Sequence, residues 1–281
     1  MSRLSTSSWT LHRVLGPMYK QDAHRSATMS PNVDEAGEIA LLELPAMLAE
    51  RGIGTLEVCH FHFPSVDDAY IAEFRAALAD ADVELYSLLV DTADITREDA
   101  AERERDIDTV RFWLEIAGKV GASHARVIAG DADIEARNGD AKDHPAIRLS
   151  AENLSALAKA GADVGVQVNT ENFRALTKRA SHVLAILDLC EGDVGLCADF
   201  GNYGGEAKYD ELAAIVPHAN VLHAKANYPA AGEMERADFD RCLDLARDAE
   251  FDGPYSLIFD GPGSEWDSLA EIQQVVEARI A

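Results

Sequence analysis

The sequence predicts a (β/α)8 barrel, and three observations predict it. Short β-rich runs alternate with amphipathic helical stretches along the chain, the order expected of parallel strands joined by helices. Eight such pairs fit within 281 residues, close to the usual length of this barrel. The first strand leads into Ser7-Ser8-Trp9-Thr10-Leu11-His12, not into the glycine-rich phosphate loop of an open doubly wound sheet.

The expected strands are 4–10, 55–59, 84–90, 124–128, 165–169, 194–198, 221–224 and 255–259. Several are nearly continuous apolar runs, as in strands covered on both faces. Between them, Ser65-Val66-Asp67-Asp68 reads as a helix start, with Tyr70, Ile71, Phe74 and Leu78 at helical spacing. Thr96 opens the next helix, which turns Ile107, Val110, Leu114 and Ala117 inward and stops near Gly121. Gly161, Gly192 and Gly253 close three further helices, and Leu269, Ile272, Val275 and Val276 mark the last. With no linker and no low-complexity segment, the expectation is a single-domain TIM barrel over residues 1–281.

At 47% hydrophobic residues the chain can bury a large core. No run of about 18 apolar residues crosses a membrane, and the polar start of the chain lacks a signal core. Cys59, Cys190, Cys197 and Cys242 form no CxxC pair, which suits reduced thiols and a cytoplasmic location. The formal charge is −25, from 50 acidic and 25 basic residues. Such a surface repels nucleic acid and anionic membranes, so neither is an expected partner. It also suits a salt-rich, halophilic setting in which screening removes the self-repulsion. Homo-oligomerisation stays open.

In this barrel class the active site lies where strands end and βα loops begin. Four consecutive strand ends each carry one metal-capable side chain: Glu171, Asp199, His223 and Asp260. A lone acid after a strand is usually a cap, and a lone histidine usually structural. The recurrence at four successive ends points to one divalent ion. Three carboxylates and an imidazole suit Mn2+ first, with Mg2+, Co2+ or Zn2+ as alternatives.

His60 and His62 follow the second strand and share one face if that segment is extended. They are expected to bind substrate, with Trp9, His12 and Asn202; Trp266 could add a further wall. Glu57 reads as an inward polar residue of the second strand, and Arg126 as the partner of an interior carboxylate.

The strand-end residues, strongest from 164 to 263, resemble those of the xylose isomerase-like barrels, a family of sugar phosphate isomerases and epimerases. The resemblance implies that Glu171, Asp199, His223 and Asp260 hold the metal. It further implies that the metal steadies an enediolate formed by proton loss beside a carbonyl, with Glu171 and Asp260 as bases. Asp260 departs from the ketose 3-epimerases, which usually have Glu there. Pro229 and Thr177 stand where those epimerases carry Arg and Glu. His223-Ala224-Lys225 instead resembles the His-x-Lys of inosose and 3-dehydroshikimate dehydratases, which makes Lys225 a catalytic candidate. The expected function is a metal-dependent sugar isomerase or epimerase. The alternative is a lyase that dehydrates a keto-polyol or cleaves a keto-sugar. An abasic-site endonuclease would need more metal ligands and a basic groove, and a non-catalytic sugar-binding barrel would not need the ligand set.

Overall fold

A computed structural model describes residues 2–33, 37–134 and 140–280. Strand β1 (Arg3–Ser7) runs into a 3-10 turn at Ser8–Leu11 and then helix α1 (His12–Leu15). Strands β2 (Met18–Gln21) and β3 (Met29–Val33) pair antiparallel as a hairpin outside the barrel. The chain then alternates through α2 (Leu44–Ala49), β4 (Thr55–Cys59), α3 (Asp68–Asp80), β5 (Glu84–Val90), α4 (Ala100–Val120), β6 (His124–Val127) and α5 (Pro145–Asp163). It continues through β7 (Gln167–Glu171), α6 (Ala180–Leu189), β8 (Gly195–Asp199), α7 (Lys208–Ile215), β9 (Val221–Lys225), α8 (Arg236–Asp248), β10 (Pro254–Ile258) and α9 (Glu265–Ile280). Among the described residues, eight parallel strands close in the order β1-β10-β9-β8-β7-β6-β5-β4, and β1 pairs with β4 to complete the ring. This is the expected (β/α)8 TIM barrel.

Side-chain alternation divides each strand between two environments. Outward residues such as Leu56, Val58, Leu88, Leu196, Leu222 and Leu257 are fully buried against the helices. They meet Phe74, Trp113, Leu154, Val183, Phe239 and Ile272. Each such side chain contributes about 1.5–3 kcal/mol by leaving water. The inward set is different in kind. Ser5, Glu57, Ser87, Asn169, His223 and Ser256 are all buried and polar. A shell that is apolar outside and polar inside leaves the barrel axis free for chemistry.

Helix starts differ slightly from expectation. Asp67, not Ser65, caps α3 by accepting from Tyr70 N at 2.9 Å, while Ser65 Oγ donates to the Asp67 carboxylate. Asp99, not Thr96, caps α4, accepting from the amides of Ala101 and Glu102. Gly121, with φ 87°, ends α4 in the left-handed conformation that favours glycine.

The β2–β3 hairpin was not foreseen. Its turn lies against α4, where Arg25 pairs with Asp108 at 3.0 Å and Glu115 at 2.8 Å, and His24 with Asp108 at 2.8 Å. Val66 N donates to Ala27 O, tying the hairpin to the loop after β4.

That loop begins as a 3-10 turn over His60–His62. Ser8 Oγ accepts from Cys59 N at 2.9 Å, so its own hydroxyl hydrogen is free to go to His62 Nδ1 at 2.7 Å. Burial, with repulsion from His12 and His60, pushes His62 down to about 3. The folded form therefore holds His62 neutral, while the unfolded chain takes up a proton below its ordinary value of 6.5. The stability this group contributes is full above pH 6.5 and is lost as pH falls towards 3. The slope is about 1.4 kcal/mol per pH unit. Urea titrations between pH 6.5 and 4 should therefore show His62→Gln losing stability less steeply than the parent, by about 1 kcal/mol per unit. Identical slopes would remove His62 from the acid response.

Candidate functional site

Strands β7, β8 and β9 bring the expected ligands together. Glu171 and Asp199 are the last residues of β7 and β8, and His223 lies at the centre of β9. The fifth barrel strand thus runs two residues further than its apolar pattern, and Glu171 belongs to the strand. His223 Nδ1 lies 3.4 Å from Asp199 Oδ2 and 3.8 Å from Glu171 Oε1, and all three side chains are at most 5% exposed. Asn172 holds the end of β8 by pairing with the backbone of Asp199, accepting from its N–H at 2.7 Å and donating to its carbonyl at 3.0 Å.

Three neighbours fix the orientations. Glu57 Oε2 meets His223 Nε2 at 3.0 Å from across the barrel, leaving Nδ1 to face the carboxylates. Asn202 Nδ2 donates to Glu171 Oε1 at 2.8 Å. Arg126 Nε stands 2.9 Å from Glu171 Oε2, and its Nη1 donates to Asp91 at 2.6 Å. The Arg126–Glu171 contact is an ion pair without an aligned hydrogen bond, so Glu171 Oε2 stays buried without a donor.

Among the described residues, three buried carboxylates, Glu57, Glu171 and Asp199, with Asp91 at 18% exposure, thus face a single buried guanidinium. Buried charge of one sign needs neutralising. Burial raises Glu171, against the pull of Arg126 and His223. Burial also works against ionised Asp199, but the His223 hydrogen bond and charge, with Lys225, hold it below the usual range. His223 is raised well above its ordinary value despite burial. Burial pushes the Cys197 thiol up to about 12, so it is neutral, and the charge that favours the imidazolium comes from Glu57 and Asp199. A proton on His223 or a bound cation would satisfy the excess. The oxygen and nitrogen donors and the donorless Glu171 Oε2 suit a divalent ion. Glu171, Cys197 and His223 can each bring a ligand atom within 4.8 Å of the others, which adds a thiol to the residues in reach.

Asp260 sits further out. Its side chain is 40% exposed and Oδ2 accepts from Lys225 Nζ at 3.0 Å. Gly201 makes room for this lysine, since a Cβ there would lie 2.7 Å from Lys225 Cδ. Asp260, Lys225, Asn202 and Trp9 all line a cavity of about 390 Å³ over the cluster, with Met18, Phe61 and Phe173 as apolar walls. A groove of about 730 Å³ beside Gln167, Gly195 and Asn220 lies at the opposite strand ends and carries none of these groups.

Phe61, not His60 or His62, is the member of its turn that lines the cavity. The extended segment assumed for the two histidines is a 3-10 turn, so the alternation does not apply. His60 Nδ1 accepts from Asp91 N at 3.2 Å, which places this histidine behind the cavity wall. His12 stacks on Trp9 with centroids 4.4 Å apart and so backs the tryptophan. Trp266 packs under Arg51 at 4.0 Å. Thr177 Oγ1 donates to the Phe173 carbonyl. Glu57 is the inward polar residue and Arg126 the partner of interior carboxylates that the sequence led us to expect, whereas Asp91 was missed. The available signal was a charged residue inside or ending an otherwise apolar strand.

The xylose isomerase-like TIM barrel family model matches residues 45–277, and the chain belongs to that family. No curated protein matches the sequence. Among solved structures, a xylose isomerase-like TIM barrel protein from Mycobacterium smegmatis in complex with magnesium is similar at 18% identity and TM-score 0.64, covering 95% of this chain and 98% of the other. An L-ribulose 3-epimerase is similar at 12% identity and TM-score 0.70, covering 100% and 95%. The probable 3-DHS dehydratase of petrobactin synthesis from Bacillus anthracis is similar at 15% identity and TM-score 0.67, covering 98% of each chain.

A histidine ligand oriented by a carboxylate loses metal affinity when that carboxylate is removed, typically ~10–100-fold. Chelator competition with Mn2+ should place Glu57→Leu in that range and Glu57→Gln, which keeps an acceptor, closer to the parent. Equal affinities for all three proteins would reduce Glu57 to packing.

Proposed function

We propose that the chain is a divalent-metal-dependent sugar isomerase or epimerase. The observation that carries this reading is the convergence of buried Glu171, Asp199 and His223, with surplus negative charge, at the mouth of the barrel. Glu171, Asp199 and His223 would hold the ion, with Asp260 as the fourth ligand from the rim and Mn2+ as the expected metal. A bound divalent ion supplies Lewis-acid polarisation of a carbonyl and its neighbouring hydroxyl. Glu171 is the base that takes the proton from carbon. Its burial raises its proton affinity, in the direction a base needs, and Asn202 and Arg126 fix its two oxygens. Asp260 and Lys225, paired on the lining of the cavity, return a proton. Trp9 and Phe61, edge to face at 84°, offer apolar contact to a sugar ring, and together with Phe173 and Met18 limit water in the cavity.

A second reading is a dehydratase on the same site. Lys225 favours it, because an ammonium held inside the cavity can protonate a departing hydroxyl. Similarity to a 3-DHS dehydratase supports keeping it.

NMR of metal-loaded protein in D2O with ketoses, inososes and keto-glycosides separates the two. Deuterium entering beside the carbonyl without water loss is the expected result, and an unsaturated product would replace the isomerase with the lyase. Glu171→Gln should lower turnover by ~10²–10⁴-fold, the usual worth of a positioned base. A fully active variant would move the base elsewhere.

A further inference from the structure

The cavity is lined by three side-chain cations: Arg126, Arg174 and Lys225. In a chain with twice as many acids as bases, such a grouping invites the idea of an anion hook. The pairing argues otherwise. Arg126 is held by Asp91 at 2.6 Å and Glu171 at 2.9 Å. Lys225 is held by Asp260 at 3.0 Å. Arg174 donates to Asp131 at 2.9 Å and to the Asp91 carbonyl at 3.2 Å, over the ring of Phe173. Its backbone is left-handed, with φ 69°, which fixes the direction in which it leaves the chain.

Each guanidinium or ammonium therefore already has a carboxylate. Four carboxylates (Asp91, Glu171, Asp199 and Asp260) line the cavity, with Glu57 and Asp131 behind its wall. The loop after β10, where barrels often bind phosphate, follows the same rule. Arg13 there is engaged by Glu265 at 3.4 Å and the Gly263 carbonyl at 3.1 Å. An incoming phosphate would have to break an existing pair and would then face the released carboxylate at close range, which costs affinity.

We propose that the substrate of this site is an uncharged polyhydroxy ketone, a free sugar or glycoside without phosphate or carboxylate, and that the three cations serve to hold carboxylates in place. This assignment rests on the proposed function for its carbonyl, but it concerns binding and is tested as binding. The apolar side chains of Trp9, Phe61 and Phe173 and the cavity volume of about 390 Å³ suit a neutral ring with hydroxyls at its edge.

The test is calorimetric titration of Mn2+-loaded protein with D-fructose, D-fructose 6-phosphate and 3-dehydroshikimate, at two salt concentrations. The neutral ketose should bind at least ~10-fold more tightly than either anion, given like-charge repulsion. Asp131→Asn, which frees Arg174 outside the chemistry, should raise affinity for the phosphate ~3-fold, the scale of an exposed ion pair, and leave the neutral ketose unchanged. Tighter binding of the phosphate or the keto acid by the parent protein would overturn the assignment, as would failure of the neutral ketose to bind. Lack of phosphate gain in Asp131→Asn would also count against it. Neutral-ketose binding with no deuterium exchange would instead leave the substrate class standing and sink the isomerase.

Discussion

The interaction on which the site depends is the neutralisation of buried carboxylates inside the barrel. Glu57, Glu171 and Asp199 are almost wholly removed from water, and each would be costly if left unpaired. Among the described residues, two groups bridge them by ion pairs. His223 joins Glu57 to the pair Asp199 and Glu171. Arg126 joins Glu171 to Asp91. Removing either bridge would strand a buried charge, which typically costs 3–5 kcal/mol. The cluster is therefore a unit, and the orientation of any one carboxylate is set by the others.

The fold makes this tolerable by separating duties. The apolar contacts lie in the layer between strands and helices, where Phe74, Trp113, Phe239 and many leucines are buried. The barrel axis can then hold serines, an asparagine, acids and imidazole in place of the branched residues common there. Loops complete the arrangement. Asn172 continues the pairing of β8 past its neighbour's end, and Glu265 of α9 accepts from the amides of Arg13 and Val14 to seat the segment that carries Trp9.

Much of this was legible in the sequence, for physical reasons that vary by element. Parallel strands buried on both faces produce apolar runs, so β4 and β5 read with their observed bounds. Strand β7 read two residues early, at 165–169, because Thr170 and Glu171 are polar, although the sheet includes them and begins only at Gln167. A polar end to an apolar strand is what a site at the barrel mouth looks like from the sequence. The β2–β3 hairpin left no such trace. Its strands are short, carry Lys20, Gln21 and Pro31, and are held by pairing with distant Asp108 and Glu115. The histidine turn misled for a related reason. Period-two alternation holds for extended chain only, and Cys59–Phe63 leaves that conformation at His60.

The acidity of the chain and the acidity of the site are separate matters. Surface pairs such as Arg279 with Asp240 and Asp244 lie in water, where salt screens charges beyond about 8 Å at physiological strength and about 3 Å at 1 M. Their contribution falls as salt rises. The buried cluster is screened much less, because its pairs are removed from water. A rise in salt therefore relaxes the repulsion across the −25 surface while leaving the forces on Glu171, Asp199 and His223 nearly intact. Folding and site electrostatics can respond to ionic strength independently. The second is governed by the few groups inside the barrel, whatever the exterior carries.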